Sequence, residues 1–491
     1  MIVIRDFDPF LPIYPNYRLT QTIIGTVYSV YTQILKDIDG PPIHIIHDMP
    51  HMLKNVRNAW GSVKQFKNSK GDIIDWNFIE KLHNLQAREN LRCANKLTDL
   101  HINFQRCKMK VHLAVQVLSR SVAKSLHFCR EVLKLHDFKN SEATEEFLLY
   151  MNDSFDLMNS RSVKEVCFKG PLWIRNQNVW RIRFEECKEY LRGLSNAFTG
   201  QNLLIGDPKK TGFLGIYCNF EAVTKIFDNV VVNGPLSYIL TYKMSQDHLE
   251  HYFGLVRARF GANNNPTPFQ FRHIYRRLLL GITNLIVKDS NVIIQDNSEL
   301  VAIVPSAQDR IDYITDHYNL EDLNSSFIDS DLSDFKDNVT EYIAGFVIKK
   351  LSCKLSCDIC RSFVMVDKPI DETNLISLKD YGNFMIYPSL PVKKIVRICE
   401  KIITFEVKRG KWLTANYFCD YLNLKVIKAI TSQTNILDSM KCQMHCYSLL
   451  KSIISCYSVI RLKHHAKLEN QKIKKQKMRS YLNKIVINMG Q

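Results

Sequence analysis

The sequence predicts a mixed α/β fold that is predominantly helical. The short apolar run Ile43–Ile46 has the length and β-branched content of a buried strand that ends at Asp48, and a helix is expected from Met52. From residue 61 to about 230, apolar residues recur three and four positions apart, which is the spacing of one helix face. The same pattern resumes at residue 339. With 491 residues and 46% hydrophobic content, the chain is long enough for more than one domain.

We divide the chain into five segments. The strand and the first helix lie in residues 1–60, and residues 61–233 are mainly helical. A further predicted helix lies in residues 234–290. Residues 291–338 are acidic and rich in Ser and Asn, which is typical of a linker. Residues 339–491 return to the helical pattern and close on a basic tail.

The SQDHLE motif at residues 245–250 places two carboxylates three positions apart on a predicted helix. At this spacing Asp247 and Glu250 share one face and could point into a single polar site. A carboxylate on a rigid helix is a suitable oxygen ligand for Mg²⁺ or Mn²⁺ in two-metal phosphoryl-transfer sites. The spacing alone is more often that of a solvated helix face, so the interpretation depends on the surrounding sequence.

Five blocks of sequence, taken together, favour the catalytic interpretation. They are His47–Asn58, Asn95–Thr98 with Met109–Val111, Phe155–Ser160, Thr211–Phe213, and Ser245–Glu250 with the residues after it. In content and order these blocks resemble the P-element family of DNA transposases, which includes a relative that carries a THAP zinc finger. One such block could arise by chance, whereas five in the same order do not.

The resemblance implies an RNase H-like catalytic core interrupted by a helical domain that binds GTP. Residues 1–60 would then be part of the core, 61–233 the GTP-binding insertion, 234–290 the end of the core and 339–491 a helical carboxy-terminal domain. The family's core cuts and joins DNA with three acidic residues and Mg²⁺ or Mn²⁺. Glu250 matches the third of these acids and would be a catalytic residue and a metal ligand.

The other two catalytic acids have no clear match upstream of Asp48. Asp6 and Asp8 follow a short apolar run, but the residues around them do not fit the family pattern. The chain also begins without the C2CH spacing of a THAP finger. The expectation is a transposase that lacks its THAP finger and the first part of its core, through domestication, decay or an incomplete gene model. Such a chain should not cleave DNA on its own.

The resemblance also implies a set of nucleotide-binding residues. They are Lys96, Lys110, Val111, Ser119, Asp156, Asn159 and Asp247. The two lysines would pair with phosphates, and the Asp156 carboxylate would accept hydrogen bonds from the guanine edge. The chain contains no GxxxxGK[ST] motif, so P-loop chemistry is not expected and GTP would be a bound cofactor that is not hydrolysed.

The formal charge of +17 favours a polyanionic partner, and DNA fits best, as transposon ends and as target. Arg272, Arg276 and Arg277 could form a basic helix face, and residues 461–480 contain eight Lys or Arg against one Glu. Both features are also compatible with solvated basic helices. No apolar run is long enough to span a bilayer, so no membrane partner is expected. The predicted location is the nucleus, with self-association left open.

Two cysteine-containing motifs predict a zinc site. Cys357 and Cys360 form a CxxC pair, which can supply two thiolates to one zinc ion. A second pair could come from Cys442 and Cys446, or from His464 and His465. The alternative is that these are reduced core cysteines, because fourteen cysteines at irregular spacing are typical of a reducing compartment.

Two functions are therefore open at the level of sequence. The first is a P-element-like transposase that cleaves DNA and transfers strands with GTP as cofactor. The second is a non-catalytic DNA-binding or GTP-binding protein that derives from a transposase and acts as a repressor or an assembly partner.

Overall fold

The computed structural model describes most of the chain. The described residues are 2–5, 43–258, 267–280, 331–367, 374–382, 384–409, 418–433, 442 and 444–464. They belong to two compact units. The first unit contains Met1–Arg88 and Ala94–Glu299, and the second contains Glu89–Cys93 and Leu300–Gln491.

The first unit combines short strands with longer helices. The strands are β1 Ile2–Arg5, β2 Ile43–Ile46, β3 Gln65–Lys67, β4 Ile73–Asp75, β5 Leu172–Trp173, β6 Ser195–Asn196 and β7 Tyr238–Ile239. The helices are α1 Met49–Val63, α2 Asn77–Glu89, α3 Asp99–Ile102, α4 Val111–Val117, α5 Arg120–His127, α6 Glu142–Leu157, α7 Gln177–Arg192, α8 Thr211–Phe227, α9 Asp247–Ala258 and α10 Pro268–Leu280. The expected mixture of few strands and many helices is confirmed.

All strand pairs described in this unit are antiparallel. The predicted strand β2 is present and pairs with β1, so that Ile2 lies opposite Ile46 and Arg5 opposite Ile43. β3 lies between β4 and β6 in a three-stranded sheet. β5 pairs with β7.

Helix α1 begins where β2 ends because Asp48 caps it. The Asp48 carboxylate accepts a hydrogen bond from the His51 backbone N–H, and Pro50 in the first turn needs no such partner. The helix begins at Met49, three residues before the predicted start at Met52. Its buried face, Leu53, Val56 and Trp60, has the three-to-four spacing that the sequence predicted.

Helix α8 packs on α1 because Gly212 has no side chain. A Cβ atom at this position would lie 2.8 Å from the backbone nitrogen of Val56 and 2.9 Å from the backbone oxygen of Met52. Two turns later, fully buried Asn219 donates to the backbone oxygen of His47 and accepts from its N–H, at 2.8 and 2.7 Å. The Thr211–Phe213 and His47–Asn58 blocks are therefore packing partners.

The second unit is helical. Its elements are α11 Asp334–Ser352, α12 Asp358–Val364, β8 Met365–Val366, α13 Leu375–Lys379, β9 Tyr387–Pro388, α14 Leu390–Arg409, α15 Phe418–Gln433 and α16 at 446–464. The helical pattern expected from residue 339 is present and begins five residues earlier, at Asp334. Residues 281–330, which include most of the predicted linker, lie outside the described residues.

A buried ion pair fixes α16 on α14 inside this second unit. The Arg461 guanidinium donates to both carboxylate oxygens of Glu400, at 2.7 and 2.9 Å, and both side chains are almost fully buried. The Tyr457 hydroxyl also donates to Glu400, at 2.6 Å. Arg461 was counted with the basic tail at 461–480, but here it is a core residue and is not available to DNA. Within the described part of the chain, no helix has the length and apolar content needed to cross a membrane.

Candidate nucleotide and nucleic-acid site

One cavity of about 300 Å³ in the first unit gathers four of the seven residues expected to bind nucleotide. They are Lys96, Ser119, Asp156 and Asn159. The cavity lies where the loop before α3, the start of α5 and the end of α6 converge. The fold thus brings together residues from two of the sequence blocks with Ser119, which lies between them, and these residues are up to 63 positions apart.

Part of the cavity lining is suited to an anion. Ser119 is the N-cap of α5, so the helix begins at the cavity wall and its N-terminal end carries a partial positive charge. The Ser119 hydroxyl accepts from the Val122 N–H and donates to the Gln116 carbonyl. The Lys96 side chain, which is exposed, lines the same cavity.

The same lining contains a carboxylate, and Asn152 links it to the start of α5 because its Oδ1 accepts from the Arg120 backbone N–H at 3.0 Å. The Asp156 carboxylate accepts a hydrogen bond from Asn152 Nδ2 at 3.0 Å. Burial raises the pKa of Asp156 to about 6, although Lys169 and the Asn152 hydrogen bond oppose this change. A poorly solvated carboxylate of this kind gains most from a ligand that offers N–H donors.

Arg161 links this cavity to the SQDHLE motif. Its guanidinium lines the cavity, donates to Asn159 Oδ1 at 3.3 Å and forms an ion pair with Asp247 at 3.3 Å. Arg161 also lies over the Tyr242 ring. Asp247 is therefore held against the cavity wall through Arg161 and does not line the cavity itself.

The sequence analysis did not predict three of the residues that line the cavity. Besides Asp247, two predicted residues lie outside the cavity lining. Arg161 directly follows the Phe155–Ser160 block, so its position was a usable signal, whereas Asn152 and Lys169 belong to no motif. Lys110 and Val111 form the start of α4 and do not line the cavity. Later residues of that helix, including Gln116, do so.

A second, larger cavity of about 1050 Å³ in the same unit is less suited to a nucleotide. Its lining includes four glutamates, which would repel phosphate groups. These residues are Glu146, Glu185, Glu186 and Glu189. The lining of the smaller cavity is less acidic, with the cations Lys96, Arg161 and Lys169 beside the carboxylates Asp156 and Glu165.

Glu250 has a different set of partners from Asp247. Its carboxylate lies 3.1 Å from His51 Nε2, and the other ring nitrogen of His51 lies 3.3 Å from Asp48. Asp48 also accepts from the Gln246 backbone N–H at 2.9 Å, so the SQDHLE motif is tied directly to the start of α1. The expectation that both carboxylates enter one polar site is not met, because Asp247 is paired with Arg161 instead.

The described residues around Glu250 do not form a complete site for Mg²⁺. Hard cations of this kind need several oxygen ligands, yet within the described ranges no group of three carboxylates is close enough to share one ion. Asp6 and Asp8 lie outside the described residues. We therefore derive no metal-dependent step from this geometry.

Two of the three arginines predicted on a basic helix face are described in full. Arg272 and Arg276 are exposed on α10. Nothing is described of the Arg277 side chain, and residues 465–480 of the basic tail lie outside the described part of the chain.

The predicted CxxC pair lies in a group of four ligand-type side chains in the second unit. Cys357 and Cys360 are joined by Cys442 and His445, and this Cys₃His set is compatible with zinc. The sequence analysis proposed Cys442 with Cys446, or His464 with His465, as the second pair of ligands. His464 instead contacts Arg461. His445 was missed, although it lies in the same CxxH spacing that zinc sites use.

Three family models match the chain in order, and they define its class. Residues 50–171 match the TNP-like GTP-binding insertion domain, 242–276 the TNP-like RNase H C-terminal domain, and 331–467 the C-terminal domain of DNA transposase THAP9. The class is that of transposases in which a GTP-binding domain is inserted into an RNase H-like core. These matches support a member of the P-element-type family of DNA transposases.

Two relatives have long matches to this chain. DNA transposase THAP9 of Homo sapiens is 26% identical over 461 residues, which cover 87% of this chain and 50% of that protein. The transposable element P transposase of Drosophila melanogaster is 28% identical over 339 residues, which cover 67% of this chain and 43% of that protein. The chain thus spans about half the length of these curated relatives.

Among solved structures, the Drosophila P element transposase strand transfer complex is similar over part of the chain. The match has 28% sequence identity and a TM-score of 0.42, and it covers 48% of this chain and 51% of the other.

Proposed function

We propose that this chain binds GTP in the 300 Å³ cavity and acts in DNA transposition, with GTP as a cofactor that is not hydrolysed. The observation that carries the proposal is the cavity itself. Its lining combines the cations Lys96, Arg161 and Lys169 with the start of α5 and the half-buried carboxylate of Asp156. The match of residues 50–171 to a GTP-binding insertion domain supports the choice of nucleotide.

The phosphates would bind beside Lys96 and the start of α5. Lys96 supplies an ammonium group, and α5 supplies the positive end of its dipole beside the Ser119 hydroxyl. Lys110 lies outside the cavity lining, so it would reach the nucleotide only if the triphosphate extends beyond the cavity. The absence of a P-loop motif from the sequence agrees with binding by these separate groups.

The base would bind beside Asp156. Guanine presents N1–H and the N2 amino group side by side, and one carboxylate can accept from both. Asp156 is positioned for this role by Asn152, and Asn159 adds an amide within the same lining. Adenine has no N–H donor at N1, so ATP would leave the Asp156 carboxylate poorly satisfied.

Arg161 would connect nucleotide binding to the catalytic region. A guanine-bound Asp156 and Asn159 would hold Arg161, and Arg161 would hold Asp247 at the first turn of α9. Glu250 lies one turn further along this helix. We infer that GTP orders the start of α9 and so fixes the direction of the Glu250 carboxylate.

The chemistry that we propose for this chain is DNA cleavage and strand transfer, with Glu250 as the catalytic residue. The net charge of +17 and exposed Arg272 and Arg276 support DNA as the partner, at transposon ends and at the target. A nuclear location and self-association follow from the same proposal.

A second function is supported by one specific observation. Within the described residues, Glu250 has no set of carboxylates around it that could share a metal ion. A chain that binds DNA and GTP without cutting DNA, as a repressor or an assembly partner, would need no such set.

The nucleotide proposal is tested by calorimetry on the full chain. We expect wild type to bind GTP and to discriminate against ATP. Asp156→Asn removes a charge-assisted acceptor, so it should weaken GTP binding by about 3 kcal/mol, which is about 100-fold in Kd. Glu146→Gln, in the larger cavity, is the matched control and should leave the Kd unchanged. Equal binding of ATP and GTP, or a loss of affinity in Glu146→Gln alone, would overturn the proposal.

Nuclease assays separate the two functions. DNA that carries the element's ends should be cut in the presence of Mg²⁺ and GTP if the chain is catalytic, and Glu250→Gln should abolish cutting. Salt-sensitive DNA binding with no cutting by wild type would favour the non-catalytic function.

A further inference from the structure

The Cys₃His group of the second unit joins two parts of the chain that are far apart in sequence. Cys357 is the N-cap of α12 and Cys360 lies in its first turn. Cys442 and His445 immediately precede α16, 85 residues later. The ligand atoms of all four side chains lie within 4.8 Å of one another, and among the residues that the structure describes this is the one such group found.

Three distances within the group are close to those of a tetrahedral zinc site. Zinc–sulfur bonds of about 2.3 Å and zinc–nitrogen bonds of about 2.0 Å place tetrahedral neighbours about 3.5 to 3.8 Å apart. The Sγ atoms of Cys357 and Cys442 are 3.9 Å apart, and His445 Nδ1 lies 3.8 Å from the Sγ of Cys360 and 3.3 Å from that of Cys442. The four atoms therefore surround a point that suits one zinc ion.

The same distances argue against a disulfide. A disulfide brings two sulfur atoms to about 2.05 Å, and neither cysteine pair across the two segments is that close. All the cysteines in the described residues are free thiols. A bond between two of the three cysteines would also leave the third thiol and the imidazole without a role.

We propose that Cys357, Cys360, Cys442 and His445 bind one structural zinc ion that fastens the start of α12 to the start of α16. Four protein ligands fill the tetrahedron and leave no position for water or substrate, so the site has no hydrolytic function. Both helices also bury side chains in one hydrophobic core. Helix α12 contributes Cys360 and Val364, and α16 contributes Leu449, Leu450 and Ile453. The zinc ion would thus cross-link the starts of α12 and α16, two helices that already share this core.

Metal analysis of the full chain, purified under reducing conditions, tests the proposal. Wild type should contain one zinc ion per chain, and Cys360→Ser, Cys442→Ser and His445→Ala should each lose it. The matched control is Cys446→Ser, because this cysteine directly follows His445 but lies outside the group of four. Wild type without zinc, or equal zinc loss in Cys446→Ser and Cys442→Ser, would overturn the proposal.

A spectroscopic measurement keeps the test decisive if a ligand variant is insoluble. Cobalt(II) bound to wild type should give the visible absorption of a tetrahedral ion and a thiolate-to-cobalt charge-transfer band. His445→Cys preserves four ligands, so it should still bind cobalt(II) and show a stronger charge-transfer band from the added thiolate. An octahedral spectrum, or a Cys357–Cys442 disulfide found by mass spectrometry in metal-free protein that remains folded under reducing conditions, would contradict a zinc site.

Discussion

Replacing Asp156 by asparagine should make the nucleotide-free protein more stable at neutral pH. Burial raises the pKa of the Asp156 carboxyl from 3.8 to about 6, against the opposing effects of Lys169 and of the hydrogen bond from Asn152. This difference corresponds to at most about 3 kcal/mol of destabilisation by the ionised carboxylate at pH 7. Asparagine has no charge, and its carbonyl oxygen can still accept the Asn152 hydrogen bond.

The stabilisation by Asp156→Asn should depend on pH in one direction. Between about pH 4 and pH 6 the folded protein holds a proton that the unfolded chain has released, so the stability contributed by this group falls as the pH rises. The difference between variant and wild type should be largest above about pH 6 and should vanish near pH 4. For a unit of this size, about 3 kcal/mol raises the thermal midpoint by roughly 6 to 12 °C.

The assay is thermal unfolding of the full chain without nucleotide at a series of pH values. Asp137→Asn is the matched control, because it removes an exposed carboxylate from the same unit and should change the free energy of unfolding by less than about 0.5 kcal/mol. The reasoning would be refuted if Asp156→Asn left the midpoint unchanged or lowered it at pH 7. A difference that did not shrink towards pH 4 would refute it equally.

Three further predictions concern packing, buried charge and DNA binding. Gly212→Ala should destabilise the fold by about 1 to 3 kcal/mol in urea unfolding, because the added Cβ meets the backbone of α1. The control Gly254→Ala has open space around the added Cβ and should stabilise α9 by about 0.5 to 1 kcal/mol. Glu400→Gln leaves the Arg461 charge buried and unpaired, so it should lower the free energy of unfolding by about 3 to 5 kcal/mol. The control Arg397→Gln breaks a more exposed ion pair and should change the free energy of unfolding by less than about 1 kcal/mol. Replacing each exposed arginine of α10 by alanine should reduce the slope of log K against log salt for duplex DNA by roughly 0.9, and an unchanged slope would exclude α10 from the interface.

The sequence predicted the long elements of the fold better than the short ones. Strand β2 and the buried face of α1 follow from local hydrophobic patterns, which need no tertiary information. Strands β3 and β4 have three residues each, and their pairing is fixed by Phe66 and Ile74, which are buried in the core of the first unit. A three-residue run carries too little periodicity to be distinguished from a loop.

The sequence predicted those site residues that lie in recognisable motifs. Asp156 and Asn159 lie in one block and line one cavity, but Lys169 belongs to no block and is brought there by the fold. In the zinc group, the segment Cys442–Cys446 offers both a CxxH and a second cysteine, and spacing alone does not choose between them. His445 is selected because its ring nitrogen approaches two cysteine sulfurs across the start of α16.

Hydrogen exchange with and without GTP tests the central claim most directly. If GTP binds in the 300 Å³ cavity, amides in residues 94–97, 115–122 and 152–161 should exchange more slowly with GTP and not with ATP. Protection should extend to the start of α9 through the Arg161–Asp247 ion pair, and Arg161→Ala should remove that extension. Protection confined to residues 181–193, which line the larger cavity, or no GTP-specific protection in the first unit, would contradict the account.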